Sequence, residues 1–160
     1  MDDTFSFIKT GCVDNVLQVL NSFHESIKFT FEKEGDNLLS FLDVKVIKKS
    51  DGSFDTDIHR KQTDTNIYLN WNSFAPKTWK IGTLKGLIRR ALTICSTKEF
   101  QEKEISFLKG VFVTRNGFPS KVVSKTICDV RLKEEEESRI APTLPREEGI
   151  PLPQGKGAEQ

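Results

Sequence analysis

The chain has 160 residues, room for one domain of ordinary size or two small units with a tail. Hydrophobic residues make up 36% and charged residues 29%, so a core can form while part of the chain is expected to stay outside it. No apolar run approaches the ~18–20 residues that cross a bilayer, so no membrane-spanning helix and no membrane partner are expected. Nothing at the N-terminus reads as a secretory leader, and the three cysteines (Cys12, Cys95 and Cys128) are odd in number and lack metal-ligand spacing. They are expected to be reduced thiols of an intracellular protein, nuclear or cytoplasmic, with Cys95 filling a core.

The net charge of +1 hides an uneven distribution. Residues 1–75 carry 8 Lys and Arg against 12 Asp and Glu, a net of −4. Residues 76–127 carry 11 against 3, a net of +8, and residues 128–160 carry 5 against 8, a net of −3. A basic middle between acidic flanks suits a segment lying along phosphates, and a solvated helical face gives the same count.

Phe5 and Phe7 alternate with polar residues and predict a strand at about 4–9. Apolar residues at 13, 16, 17, 20 and 23 predict a helix, with Asp14 in its first turn, where a carboxylate is favourable. Lys28–Glu32 alternates as a strand, with Phe29 and Phe31 on one face. The stretch 39–48 alternates again, and Leu42, Val44 and Val46 are most simply core residues. Asp51-Gly52 is a hairpin-turn dipeptide, and Phe54, Thr56 and Ile58 continue on its far side. Arg60 and Lys61, two charges at a strand end, suit phosphate contact or plain solvation.

From Pro76 the period becomes helical. Trp79, Leu84, Leu87, Ile88, Ala91, Leu92 and Cys95 form an apolar stripe, with Lys80, Lys85, Arg89 and Arg90 off it or at its edge. Trp79 and Trp71 have the chemistry to stack on bases, but a core position is the simpler reading of Trp79. Ser96 or Thr97 can cap a second helix that buries Phe100, Phe107, Leu108, Val111 and Phe112. Asn116-Gly117 ends it, and Pro119 opens a short third helix carrying Val122, Val123 and Ile127. Beyond Asp129, the run Glu134–Glu137 and four of the six prolines predict a disordered tail, with the last helix extending at most into the Glu run. The expected fold is α+β: a strand-helix-strand and hairpin half-domain at 1–75, a three-helix unit at 76–127, and a tail at 128–160.

Asp2 and Asp3 are an adjacent carboxylate pair of the kind that can hold two Mg²⁺ ions, although such a pair is more often a solvated chain end. Around it, Lys28-Phe29-Thr30-Phe31-Glu32, Leu39-Ser40-Phe41-Leu42-Asp43-Val44 and Arg60-Lys61-Gln62-Thr63-Asp64-Thr65-Asn66-Ile67-Tyr68-Leu69 follow in order. Ser73-Phe74-Ala75-Pro76, Lys85-Gly86-Leu87-Ile88-Arg89-Arg90-Ala91 and Asn116-Gly117-Phe118-Pro119 come after them. In this order the segments resemble the reverse transcriptases of Penelope-like retroelements, from Met1 to about Ile127. That resemblance implies a partial palm followed by a helical thumb. Asp2 and Asp3 would be metal-binding catalytic aspartates with Mg²⁺ as the parent enzyme's cofactor. The tyrosine before the pair and the upstream fingers and palm have no counterpart here, and Ala75 stands where the family tends to have histidine. The chain alone is therefore expected not to polymerise, to need no cofactor, and to take no small-molecule substrate.

The implied partner is a nucleic-acid duplex, RNA–DNA or DNA, held through Arg60, Lys61, Lys85, Arg89, Arg90, Lys121 and Lys125. A similar helical segment carries the label helix-turn-helix in animal proteins of this origin. On that alternative the third helix presents Ser120, Lys121, Ser124 and Lys125 to a groove. Lys and Ser suit backbone contact more than base reading, which favours the thumb. The expected function is a fragment of an RNA-directed DNA polymerase that keeps only non-specific nucleic-acid binding. The alternatives are a stand-alone helix-turn-helix-like binding module and a non-functional remnant.

Overall fold

The computed structural model describes residues 3–9 and 11–140. Asp2 of the carboxylate pair and the proline-rich stretch 141–160 lie outside them. The described residues form a mixed α+β fold with a three-stranded antiparallel sheet and four helices.

Helix α1 spans Val13–Ser22, where the apolar spacing and Asp14 place it, yet none of its residues is buried. The segment 4–9 forms no strand; Phe5 instead packs against Phe41 and Phe7 against Phe54, with ring centroids 5.7 Å and 5.1 Å apart. Residues 28–32 are not a strand either. The Asn21 amide takes the ladder partner's place there: it accepts from Phe29 N at 2.6 Å and donates to Phe29 O at 3.2 Å. Alternation alone does not provide a neighbouring strand, and a strand without one is not formed.

The sheet is a meander of β1 (Leu38–Phe41), β2 (Val44–Lys48) and β3 (Phe54–Ile58), in the order β1-β2-β3. The expected strand through 39–48 is thus a tight hairpin, with Phe41 paired to Val44. Leu42 sits in the turn at φ 53, exposed rather than in a core, while Val44 and Val46 are half-buried. The second hairpin turns at Asp51-Gly52 as expected: Gly52 has φ 83, and the Asp51 carboxylate accepts from Ser53 N at 2.8 Å. The Ser53 hydroxyl and amide hold the Asp51 carboxyl below its ordinary range.

Three helices follow: α2 (Lys77–Ile94), α3 (Lys98–Thr114) and α4 (Ser120–Ile140). Leu84 and Ile88 of α2, Leu108 and Phe112 of α3, and Val123 and Val130 of α4 make the main core. A second cluster joins Ile58 of β3 to Ala91, Cys95 and Ile105. The α2–α3 connection also bonds the free edge of β3: Ser96 N donates to Thr56 O at 3.0 Å, and Thr56 N donates to Ser96 Oγ at 3.1 Å. The sheet and the helices are thereby one packed structure.

Two expectations about α2 reverse. Trp79 is 66% exposed, and Lys80 is buried at 3%. The buried stripe runs through 80, 84, 88 and 91, because the Lys80 ammonium finds acceptors inside: it donates to the carbonyls of Trp71 and Ser73 at 2.6 Å each. On α3, Phe107 is exposed rather than buried, while Glu104 and Ile105 are buried. Helix α4 does not stop near Ile127, and residues 128–140 are helical rather than tail. Val130 extends its buried stripe, Arg131 pairs with Glu102 at 2.7 Å, and Glu134 pairs with Arg89 at 3.3 Å.

Candidate nucleic-acid interface

The turn between α3 and α4 organises the helical unit. Thr97 caps α3, its hydroxyl accepting from Phe100 N at 3.2 Å. At the other end, Gly117 takes φ 70, which a side chain would strain, and Phe118 N donates to Phe112 O at 3.0 Å. The Pro119 carbonyl accepts from Val123 N at 3.2 Å and starts α4. Asn116, itself buried, ties the turn to the segment before α2. Its side-chain oxygen accepts from Tyr68 N at 2.7 Å, its amide donates to Val111 O at 3.1 Å and Asn66 O at 3.3 Å, and its carbonyl accepts from Trp71 N at 2.9 Å. Tyr68 stacks on Phe112 and Trp71 packs on Phe118, with centroids 5.1 Å and 5.0 Å apart. Burial, followed by the charge of Asp64, raises the Tyr68 hydroxyl above its ordinary pKa.

The basic residues singled out from sequence divide into two groups. Arg60 is not a free strand-end charge. Its guanidinium forms a two-pronged ion pair with the buried Glu104, one prong at 2.7 Å, and lies 4.1 Å from the Phe107 ring centroid. Arg90 faces Asp43 at 3.5 Å and Arg89 faces Glu134 at 3.3 Å. Lys61, Lys121 and Lys125 are exposed, Lys85 is half-buried, and none of the four has an ion-pair partner among the described residues.

Lys121 and Lys125 share the exposed face of the N-terminal half of α4 with Ser120 and Ser124, while Val123 and Thr126 face inward. A shallow cleft of about 320 Å³ between α3 and α4 borders this face, with Lys109, Ser124 and the Arg131–Glu102 pair in its lining. Another, of about 220 Å³, lies beside Arg90 and Lys61, but Asp43 and Asp64 line it too and make it a poor anion site.

The acidic pair offers less. Asp3 is exposed, and no group of three or more His, Cys, Asp or Glu residues that could hold a metal ion occurs among the described residues. Nothing described there fits the Mg²⁺ that the resemblance attaches to Asp2 and Asp3. No helix among the described residues is long and apolar enough to cross a membrane.

A helix, a turn held by one buried asparagine and a second helix whose N-terminal half is basic on its outer face define a helix-turn-helix-like domain. Residues 67–128 match the family model described as the animal helix-turn-helix domain. No curated protein matches the chain, and no solved structure does. The match begins where Asn116 gathers the incoming segment, some residues ahead of the Pro76 at which helical periodicity starts. The signal for that earlier start was a buried Asn before a left-handed Gly, a pairing that the sequence offers only as a helix stop.

Proposed function

We propose that this chain is a nucleic-acid-binding module whose helix-turn-helix-like domain grips the phosphate backbone with the N-terminal half of α4. The observation that carries the reading is a coincidence of two features. The matched stretch 67–128 contains the α3–turn–α4 unit, and the exposed face of its second helix bears Lys121 and Lys125 without carboxylate partners among the described residues. That face offers Ser and Lys and no Arg, Asn or Gln at its first turns, so it suits phosphate contact and not the bidentate reading of base edges. Arg60, Arg89 and Arg90 belong to the scaffold on this reading, since each already faces a carboxylate.

The test is fluorescence anisotropy of the full chain on duplex DNA across a salt series. Affinity should fall linearly in log–log form. K121Q/K125Q should weaken binding and reduce the slope by about 2, roughly 0.9 for each phosphate that the variant no longer neutralises. An unchanged slope and affinity would rule this surface out.

A finer reading rests on the resemblance to reverse transcriptases alone. Residues 1–75 would descend from a palm and the helices from a thumb, the unit that lies along a template–primer duplex. An RNA–DNA hybrid in the same experiment separates the two: the thumb origin predicts tighter binding to hybrid, and equal binding leaves the simpler module.

A further inference from the structure

Two large aromatic side chains stand out in solvent at the start of α2. Phe74 is fully exposed and Trp79 is 66% exposed, in a fold whose other tryptophan is packed on Phe118. The loop that carries Phe74 is not loose. Lys80 Nζ holds the carbonyls on either side of Asn72, those of Trp71 and Ser73. Ser73 N and Oγ donate to Asn70 O at 3.1 Å and 2.7 Å, and Asn72 N donates to Asn70 Oδ1 at 2.9 Å. Phe74 directly follows the clamped Ser73 and Trp79 directly precedes the clamping Lys80, so one clamp fixes both aromatic residues at the same end of α2. An exposed ring on this tied loop and another on the adjoining first turn of α2 are held in place and free to meet a ligand.

The charge around them selects the partner. No Asp or Glu occurs between Asp64 and Glu99, while Lys77 lies exposed between the two rings in sequence and has no ion-pair partner among the described residues. Position agrees. Trp71, held by Lys80, also bonds Asn116 and packs on Phe118, so this end of α2 meets the turn from which Lys121 and Lys125 begin α4. Resting on the nucleic-acid reading above, we propose that Phe74 and Trp79 are a stacking platform for unpaired bases. The preferred ligand is then a duplex that continues into a single strand. Stacking on aromatic side chains tolerates any base, which fits an α4 face without base-reading residues.

The experiment uses the full chain and one duplex carrying either a normal single-stranded tail or an abasic tail of equal length. The two ligands have the same phosphates and differ only in bases. Wild type should bind the base-bearing tail about tenfold more tightly. F74A/W79A should bind both tails equally, with its affinity for the abasic tail and its salt slope unchanged, and should melt like wild type because neither side chain is packed in the core. Equal binding of both tails by wild type overturns the platform and leaves the phosphate-gripping function standing. A variant that keeps the tenfold preference also overturns it. Absence of binding to every ligand overturns the function and the platform together.

Discussion

Lys80 shows how far one residue can depart from the pattern in which it sits. Counted as charge, it belongs on the outer face of α2; in the fold it is the buried residue of that helix's first full turn. Its ammonium meets no carboxylate among the described residues and is satisfied by two backbone carbonyls and the Trp71 ring, 5.8 Å from the centroid. Lys80→Met keeps the length and apolar stem but leaves both carbonyls without their charged donor. Hydrogen bonds to a charged group contribute about 1.5–3 kcal/mol, so the variant should lose roughly 2 kcal/mol of stability, read as a lower urea midpoint. A variant as stable as wild type would show that water replaces the ammonium freely. Trp79 is the counterpart: apolar by type and exposed by position. Sequence could not tell these neighbours apart, because the carbonyls that make an interior lysine acceptable come from a loop of no periodicity.

At the scale of elements, what was legible followed local rules. The α1 spacing, the Asp51-Gly52 turn, the Thr97 cap and the glycine after Asn116 each depend on residues a few positions apart, and each stands where sequence placed it. What was not legible depends on partners far along the chain. The alternating stretch 28–32 had no strand to pair with, and Leu42 became a turn because β1 folds back on β2. Helix α4 ran past Ile127 because Glu102 and Arg89 wait on α3 and α2 for its Arg131 and Glu134. Likewise, Arg60 is paired with Glu104, 44 residues along the chain. The docking of β3 on the α2–α3 connection has the same character and a direct test. Ser96→Ala removes the hydroxyl that accepts from Thr56 N and donates to Asp55 Oδ1 at 3.1 Å. The Thr56 amide should then exchange with solvent about fivefold to tenfold faster, in line with a loss of about 1 kcal/mol, while amides within α3 keep their rates. Unchanged exchange at Thr56 would mean that the Ser96 backbone alone holds the strand.

For the whole molecule, the question is whether the sheet and helices unfold as one, and Cys95 lies where that can be read. Cys128 is exposed and Cys12 half-buried, whereas Cys95 is buried between β3 and the helices, its thiol 3.6 Å from the Asp57 carboxylate. Burial first, and then the negative charge of Asp57, pushes its pKa up from 9.0 to about 11. A thiol that resists ionisation when folded favours the folded state below the unfolded pKa. That advantage declines as pH climbs from 9.0 toward 11, where the unfolded chain ionises first and the folded chain must follow. Tyr68 is raised as well and adds a decline of the same sign at higher pH, so the Cys95 share is isolated by comparison with Cys95→Ala. The urea midpoint of the wild type should fall more steeply over this alkaline range than that of the variant, whatever cavity the alanine leaves. A thiolate-directed reagent gives the second readout at neutral pH: Cys128 and Cys12 should react in the native chain, and Cys95 only at the rate of opening. If the sheet and helices are one cooperative structure, Cys95 labelling will track the loss of helical signal in urea. Labelling that runs ahead of it would show β3 leaving the helices while α2, α3 and α4 still stand, and would make the helix-turn-helix-like domain a unit that folds without the sheet.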